Sequence, residues 1–122
     1  MKVYRYYCPA SNGYLEAGFI IRLDDIMRFT PKHEDEAFKL LAFFEDNLKA
    51  PPCELYWRYP TAKTYFTAKG NRKFKKVINK IRKYLLEVHH QIMCYDIKEI
   101  GDNDEILYED EYQVLIVDKN KR

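Results

Sequence analysis

Hydrophobic positions along the chain recur at two periods. The longest helical stripe is Phe74, Val77, Ile78, Ile81, Leu85 and Val88, spaced i, i+3, i+4, i+7, i+11 and i+14. That spacing keeps one face apolar and predicts a helix over 71–90. A second stripe, Ala37, Leu40, Leu41, Phe44 and Leu48, follows Thr30-Pro31. Thr is a favoured N-cap and Pro suits the first helical position. Glu34, Asp35 and Glu36 then complement the helix dipole, so a helix from about 30 to 48 is expected. Pro51-Pro52 prevents its continuation. Phe38 and Phe43 lie partly off the stripe.

Period two marks much of the remainder. In residues 14–23, Leu15, Ala17, Phe19, Ile21 and Leu23 alternate onto one face, with Glu16, Gly18 and Arg22 on the other. Strands are expected over 2–8, 14–23, 53–59, 62–68, 91–100 and 105–117. Turns fall at Ser11-Asn12-Gly13, Pro60-Thr61 and the GDND run 101–104, and Lys69-Gly70-Asn71 leads into the long helix. Within 53–59, Leu55, Trp57 and Tyr59 share one face and Glu54, Tyr56 and Arg58 the other. The order β-β-α-β-β-α-β-β predicts an α+β fold with a mostly antiparallel sheet of about six strands and two helices on one face. A chain of 122 residues is expected to form a single α+β domain over 1–122, with 118–122 a frayed C-terminal tail. No residue-level repeat links the β-β-α segments.

Composition adds an aromatic content of 16%, made of 11 Tyr, 7 Phe and 1 Trp, which suits amphipathic strands. Net charge is only +2, yet its distribution is uneven. Residues 63–83 hold nine basic groups and no acid, whereas 84–122 hold four basic and ten acidic groups. The long helix is therefore a local positive field on a nearly neutral chain. Cys8, Cys53 and Cys94 are odd in number and form no CxxC, so reduced thiols and a cytoplasmic location are expected. MKVYRYYCP has no apolar h-region, and no window is apolar enough to span a membrane.

Lysines at helical spacing can straddle a phosphodiester backbone. The candidate contacts are Arg72, Lys73, Lys75, Lys76, Lys80 and Lys83, with Tyr56 and Arg58 nearby to stack on bases and neutralise phosphates. Arg72, Lys73, Lys75 and Lys76 stand at the positive end of the helix dipole, a small penalty that a ligand or a solvated face would tolerate. The segment TAKGNRKFKKVINKIRKYL resembles the junction in double-stranded RNA-binding domains, where a strand runs through Gly into a Lys-rich helix that grips phosphates. The resemblance covers some 60 residues with the preceding helix and hairpin, and it implies phosphate contacts from Lys73, Lys75 and Lys76. It departs from that family in lacking one of three strands and in carrying bulky Phe, Val and Ile where an Ala-rich packing face is usual.

Other chemistry is thinner. His89, His90 and Cys94 invite a metal, but adjacent helical residues point ~100° apart and cannot easily share one. His33 with Glu34 and Glu36 reads as a helix start. Asp96-Ile97-Lys98 fits half of a Mg²⁺-dependent nuclease pattern without an acidic partner on a preceding strand. No P-loop, GxGxxG or GxSxG is present. Catalytic residues, metal and cofactor are therefore all expected to be absent. The acidic segment 102–111, with Glu105, Glu109, Asp110 and Glu111, offers a protein interface. It could imitate a nucleic-acid backbone, or pair with the basic helix of a second copy to give a homodimer.

Two functions follow. One is a small non-catalytic module binding RNA or DNA through helix 71–90. The alternative is a viral or mobile-element accessory protein, anti-CRISPR-like, that inhibits a host nucleic-acid-processing or defence complex through a charged interface. A Mg²⁺-dependent nuclease is a distant third.

Overall fold

Apolar stripes and turn chemistry resolve into six strands and five helices among the residues described by the computed structural model, which are 1–10, 17–29, 32 and 34–121. In chain order they are β1 (Lys2–Cys8), β2 (Ala17–Gly18), α1 (Phe19–Phe29), α2 (Glu34–Asn47), α3 (Cys53–Arg58), β3 (Lys63–Phe66), α4 (Ala68–Lys73), α5 (Lys75–His89), β4 (Cys94–Glu99), β5 (Asp104–Glu109) and β6 (Gln113–Asp118). The strands form one sheet in the order β2-β1-β3-β6-β5, with β4 also pairing β1. The registered ladders, β1 with β2, β1 with β3, β3 with β6 and β5 with β6, are antiparallel. The fold is thus α+β with a mostly antiparallel six-stranded sheet, as the patterning predicts.

Several elements differ from the expected order. The alternating run 14–23 is helical from Phe19 onward. Phe19, Leu23 and Ile26 are buried at i, i+4 and i+7, whereas Ile21 is exposed. Arg22–Asp25 and Arg28–Asp24 ion pairs at i,i+3 and i,i+4 fit the same helix. The expected strand 53–59 is the short helix α3. Its turn closes with Leu55 N–H on the Pro52 carbonyl at 3.1 Å and Tyr59 N–H on the Leu55 carbonyl at 3.0 Å. Trp57, expected inside with Leu55 and Tyr59, is 78% exposed.

The expected strand 105–117 is a hairpin. Asp110 accepts the N–H of Tyr112 at 2.8 Å and of Gln113 at 3.0 Å, folding the chain back between β5 and β6. A register shift between Ile106 and Tyr108 bulges β5 against β6. The expected helix 71–90 begins earlier, at Ala68, and is divided at Phe74, whose φ of −98° and ψ of 5° end α4. Lys69-Gly70-Asn71 is therefore inside a helix and is not a turn. The Ser11-Asn12-Gly13 turn, the first residues of the expected strand 14–23, the Thr30-Pro31 helix start, His33 and the final Arg122 lie outside the described residues.

The chain forms two compact units. The first comprises Met1–Arg5, Ala50–Phe74 and Asp96–Arg122. Its core is Val3, Phe66, Phe74 and the continuous run Val114–Val117 of β6. Gly70 of α4 lies against the backbone of Tyr112. Thr67 caps α4 by accepting the Gly70 N–H at 3.1 Å and donates its hydroxyl to the Glu111 carbonyl at 2.8 Å. The β4–β5 turn is held by Asp104, which accepts the Gly101 N–H at 2.8 Å and pairs with Lys98 at 3.1 Å. Residues 118–121 form a closing turn, with Lys119 N–H on the Asn103 carbonyl at 2.8 Å and the Thr61 hydroxyl on the Lys121 carbonyl at 3.2 Å.

The second unit comprises Tyr6–Lys49 and Lys75–Tyr95. It buries Tyr6, Cys8, Phe19, Leu23, Ile26, Ala37, Leu41 and Phe44 with Ile78, Ile81, Leu85 and Met93. Helices α1 and α2 meet through Phe19 and Phe44, ring centroids 5.1 Å apart and edge to face. Helix α5 ends at His90, a residue of positive φ (54°), after which Gln91 N–H returns to the Leu85 carbonyl at 3.0 Å. This is the left-handed C-terminal closure that usually uses Gly.

Candidate nucleic-acid interface

Helix α5 buries Ile78, Ile81 and Leu85 completely, with Val77 and Val88 half-buried beside them. At 100° per residue, that stripe leaves Lys76, Lys80 and Lys83 on the ridge pointing directly away. All three are exposed. Among the described residues none of them has an ion-pair or hydrogen-bond partner. Their span of seven residues covers ~10 Å of helix axis. Arg82 lies toward the edge of the stripe and is half-buried.

Lys75 differs from its neighbours. Its ammonium donates to the Tyr6 hydroxyl at 3.3 Å and lies 5.6 Å from that ring's centroid. At the far end of α5, His89 Nε2 meets the Tyr84 hydroxyl at 3.0 Å. Burial and then the Glu36 charge raise the Tyr84 phenol above its ordinary value. The acidic start of α2 is thus close to the end of α5 within this unit.

The remaining expected contacts belong to the first unit. On α4, Arg72 is exposed without a partner among the described residues. Lys73 sits over the Tyr112 ring, 4.0 Å from its centroid. Its hydrogen bond to the Tyr112 hydroxyl holds that phenol below its ordinary value. Lys69 pairs with Glu111. On α3, the Tyr56 hydroxyl meets Thr64 Oγ1 at 3.0 Å, while Arg58 is exposed. Helix α3 has no buried residue, so Tyr56, Trp57 and Arg58 together form a wet aromatic and cationic surface. Trp57 was legible only in part, because a strand reading turns it inward.

Two acidic residues of the hairpin, Asp110 and Glu111, have local partners. Asp110 also accepts the Tyr108 hydroxyl at 2.8 Å and the Gln113 side-chain amide at 3.2 Å. Burial pushes its carboxyl up, but these donors and the turn N–H groups outweigh it and leave the group below its ordinary range. Glu111 is engaged by Lys69, Glu109 is exposed, and Glu105 is half-buried.

No protein-family model matches the chain, and no curated protein or solved structure is significantly similar to it.

The resemblance to double-stranded RNA-binding domains gains no second support from the fold. The segment before β3 is helical where that family would have a strand. Among the described residues no three His, Cys, Asp or Glu side chains are grouped to hold a metal ion. Lys98, the cation of the nuclease-like tripeptide, is engaged by Asp104 in the β4–β5 turn. No helix of the described residues is long and apolar enough to cross a membrane.

Proposed function

We propose that the chain is a small non-catalytic module that binds nucleic acid through the outer ridge of α5. One observation carries this reading: Lys76, Lys80 and Lys83 are exposed and unpartnered among the described residues on a helix whose opposite face buries Ile78, Ile81 and Leu85. Duplex DNA presents a charge about every 1.7 Å of its axis, so a ~10 Å ridge meets several phosphates. Lys75, held by Tyr6 within the same unit, is a secondary contact. Free Cys8, Cys53 and Cys94 suit a reducing cytoplasm.

Fluorescence anisotropy against labelled single-stranded and duplex DNA and RNA, across a salt series, tests the proposal. For three phosphate contacts on duplex DNA the log–log salt slope is expected to be about −3. Replacing Lys76, Lys80 and Lys83 with Glu should abolish binding and leave the circular dichroism spectrum unchanged. Absence of binding at low salt, or undiminished binding by the triple variant, would sink it.

A second reading has its own support. Trp57, Tyr56 and Arg58 are of the residue types that dominate protein interfaces, and Trp57 is 78% exposed. They suit a protein partner, in line with an inhibitor of a host nucleic-acid-processing complex. Nucleic-acid binding that survives the α5 variant but fails on Trp57→Ala would move the site to α3 instead.

A further inference from the structure

β4 pairs with β1 along one edge, and no strand of the described residues occupies its other edge. The Ile100 N–H donates to the Met1 carbonyl at 3.1 Å and Tyr6 stacks on Tyr95 with ring centroids 5.7 Å apart, so β4 runs antiparallel to β1. Alternation along an antiparallel strand then turns the main-chain groups of Asp96 and Lys98 toward β1. Those of Ile97 and Glu99 face the open edge. Asp96 and Ile97 point to opposite faces of the sheet, yet both are exposed, Ile97 by 54%. Natural edge strands are usually closed to addition by Pro, by bulges or by charged side chains that a second strand cannot pair. β4 has no Pro, and its Asp96-Ile97-Lys98 segment carries opposite charges flanking an apolar centre.

We propose that this edge is a homodimer interface, in which two copies pair their β4 strands antiparallel about a two-fold axis at Ile97. Ile97 then meets Ile97 of the second copy as a hydrogen-bonded pair, exchanging two N–H···O bonds and covering an exposed apolar side chain. Each Asp96 lies opposite Lys98 of the other copy in the non-hydrogen-bonded positions, where Cα atoms are ~4.5 Å apart and side chains are closest. The hydrogen-bonding alternation also permits two-fold axes at Asp96 or at Lys98. The first sets two aspartates face to face and the second two lysines, so only the Ile97 axis pairs opposite charges. Such an interface is isologous and closed. Lys98 already contacts Asp104 at 3.1 Å, but an ammonium has three donors and can serve both carboxylates. This surface is not the acidic hairpin, and the inference does not rest on the reading of α5.

Sedimentation velocity over a range of protein concentrations tests it. The wild-type chain should show a monomer–dimer equilibrium. Asp96→Lys and Lys98→Glu should each weaken association on the order of tenfold. An equimolar mixture of the two should recover it, since every new charge then faces an opposite one. Ile97→Lys sets two cations on the axis and should leave a folded monomer by circular dichroism. Should Lys98→Glu fail to fold without its Asp104 contact, Asp96→Lys and Ile97→Lys decide the matter. A wild-type chain that stays monomeric at every concentration, or an Ile97→Lys variant that still dimerises, overturns the proposal.

Discussion

A Cβ added at Gly70 would be driven into the carbonyl oxygen of Tyr112 and would lie 2.9 Å from its carbonyl carbon. Backbone cannot swing aside as a side chain can, and the same carbonyl accepts the Thr67 N–H at 3.0 Å. Glycine is required here for close approach rather than for an unusual φ. In an exposed helix interior Gly→Ala gains about 1 kcal/mol. At Gly70 the overlap reverses the sign, and Gly70→Ala should lose about 2 kcal/mol, read as a lowered urea midpoint. A stabilised variant would mean that α4 does not lie on the hairpin. The sequence signalled this glycine as a turn before a helix, because a lone Gly after Lys is most often punctuation. Only the tertiary contact with residue 112 reveals its role.

At the scale of elements, the strand-for-helix differences have a common cause. Phe19 and Leu23 are four apart, as are Leu55 and Tyr59, and a spacing of four fits a strand face and a helix face equally well. The residues that separate the two readings are the intermediate ones. Ile21 and Trp57 should be inside on a strand and outside on a helix, and both are exposed. Ile26, seven residues after Phe19, was the available helical signal in the first case. Helix α5 was legible throughout because its stripe extends over i+7 and i+11, where the two periods diverge. The hairpin was missed for a different reason: Asp110 turns the chain without Gly, Pro or Asn, by hydrogen bonding to its own loop.

That turn titrates. The Asp110 carboxyl has a folded value below its ordinary 3.8, so its contribution to stability is present above that value and is lost as pH falls through the lower folded one. Asp110→Ala should cost about 1–2 kcal/mol at neutral pH through the lost hydrogen bonds. It should also flatten the stability curve below pH ~4, where the wild-type carboxylate is being protonated. Denaturant titrations of both proteins from pH 2 to 7 check this. Parallel curves would show that the carboxylate does not hold the turn.

At the scale of the whole molecule, formal charge is nearly balanced within each compact unit at +1. The basic ridge of α5 shares its unit with the acidic residues of α2, so its field is local and ligand selection depends on contact rather than on net charge. Sequence alone exposed the ridge but not the pairing of Lys69 with Glu111, nor the capture of Lys73 and Lys75 by tyrosines. Those contacts join residues 39 or more positions apart. Burial is as uneven as charge. β6 buries Gln113 through Val117 in succession, whereas α3 buries nothing. Hydrogen exchange should therefore be slowest in β6 and fastest in α3, by on the order of a thousandfold. Equal protection in the two segments would contradict the core assigned to the first unit.

The bulge between Ile106 and Tyr108 bears on how far self-association can proceed. β5 is the terminal strand at the far end of the sheet, and it carries Glu105 and Glu109 as well as that irregularity. A strand so bent and charged is a poor template for another. A chain with two receptive edges has a valence of two and grows into filaments. With β5 blunted, β2 only two residues long and β4 open, the valence is one, and growth stops at a pair.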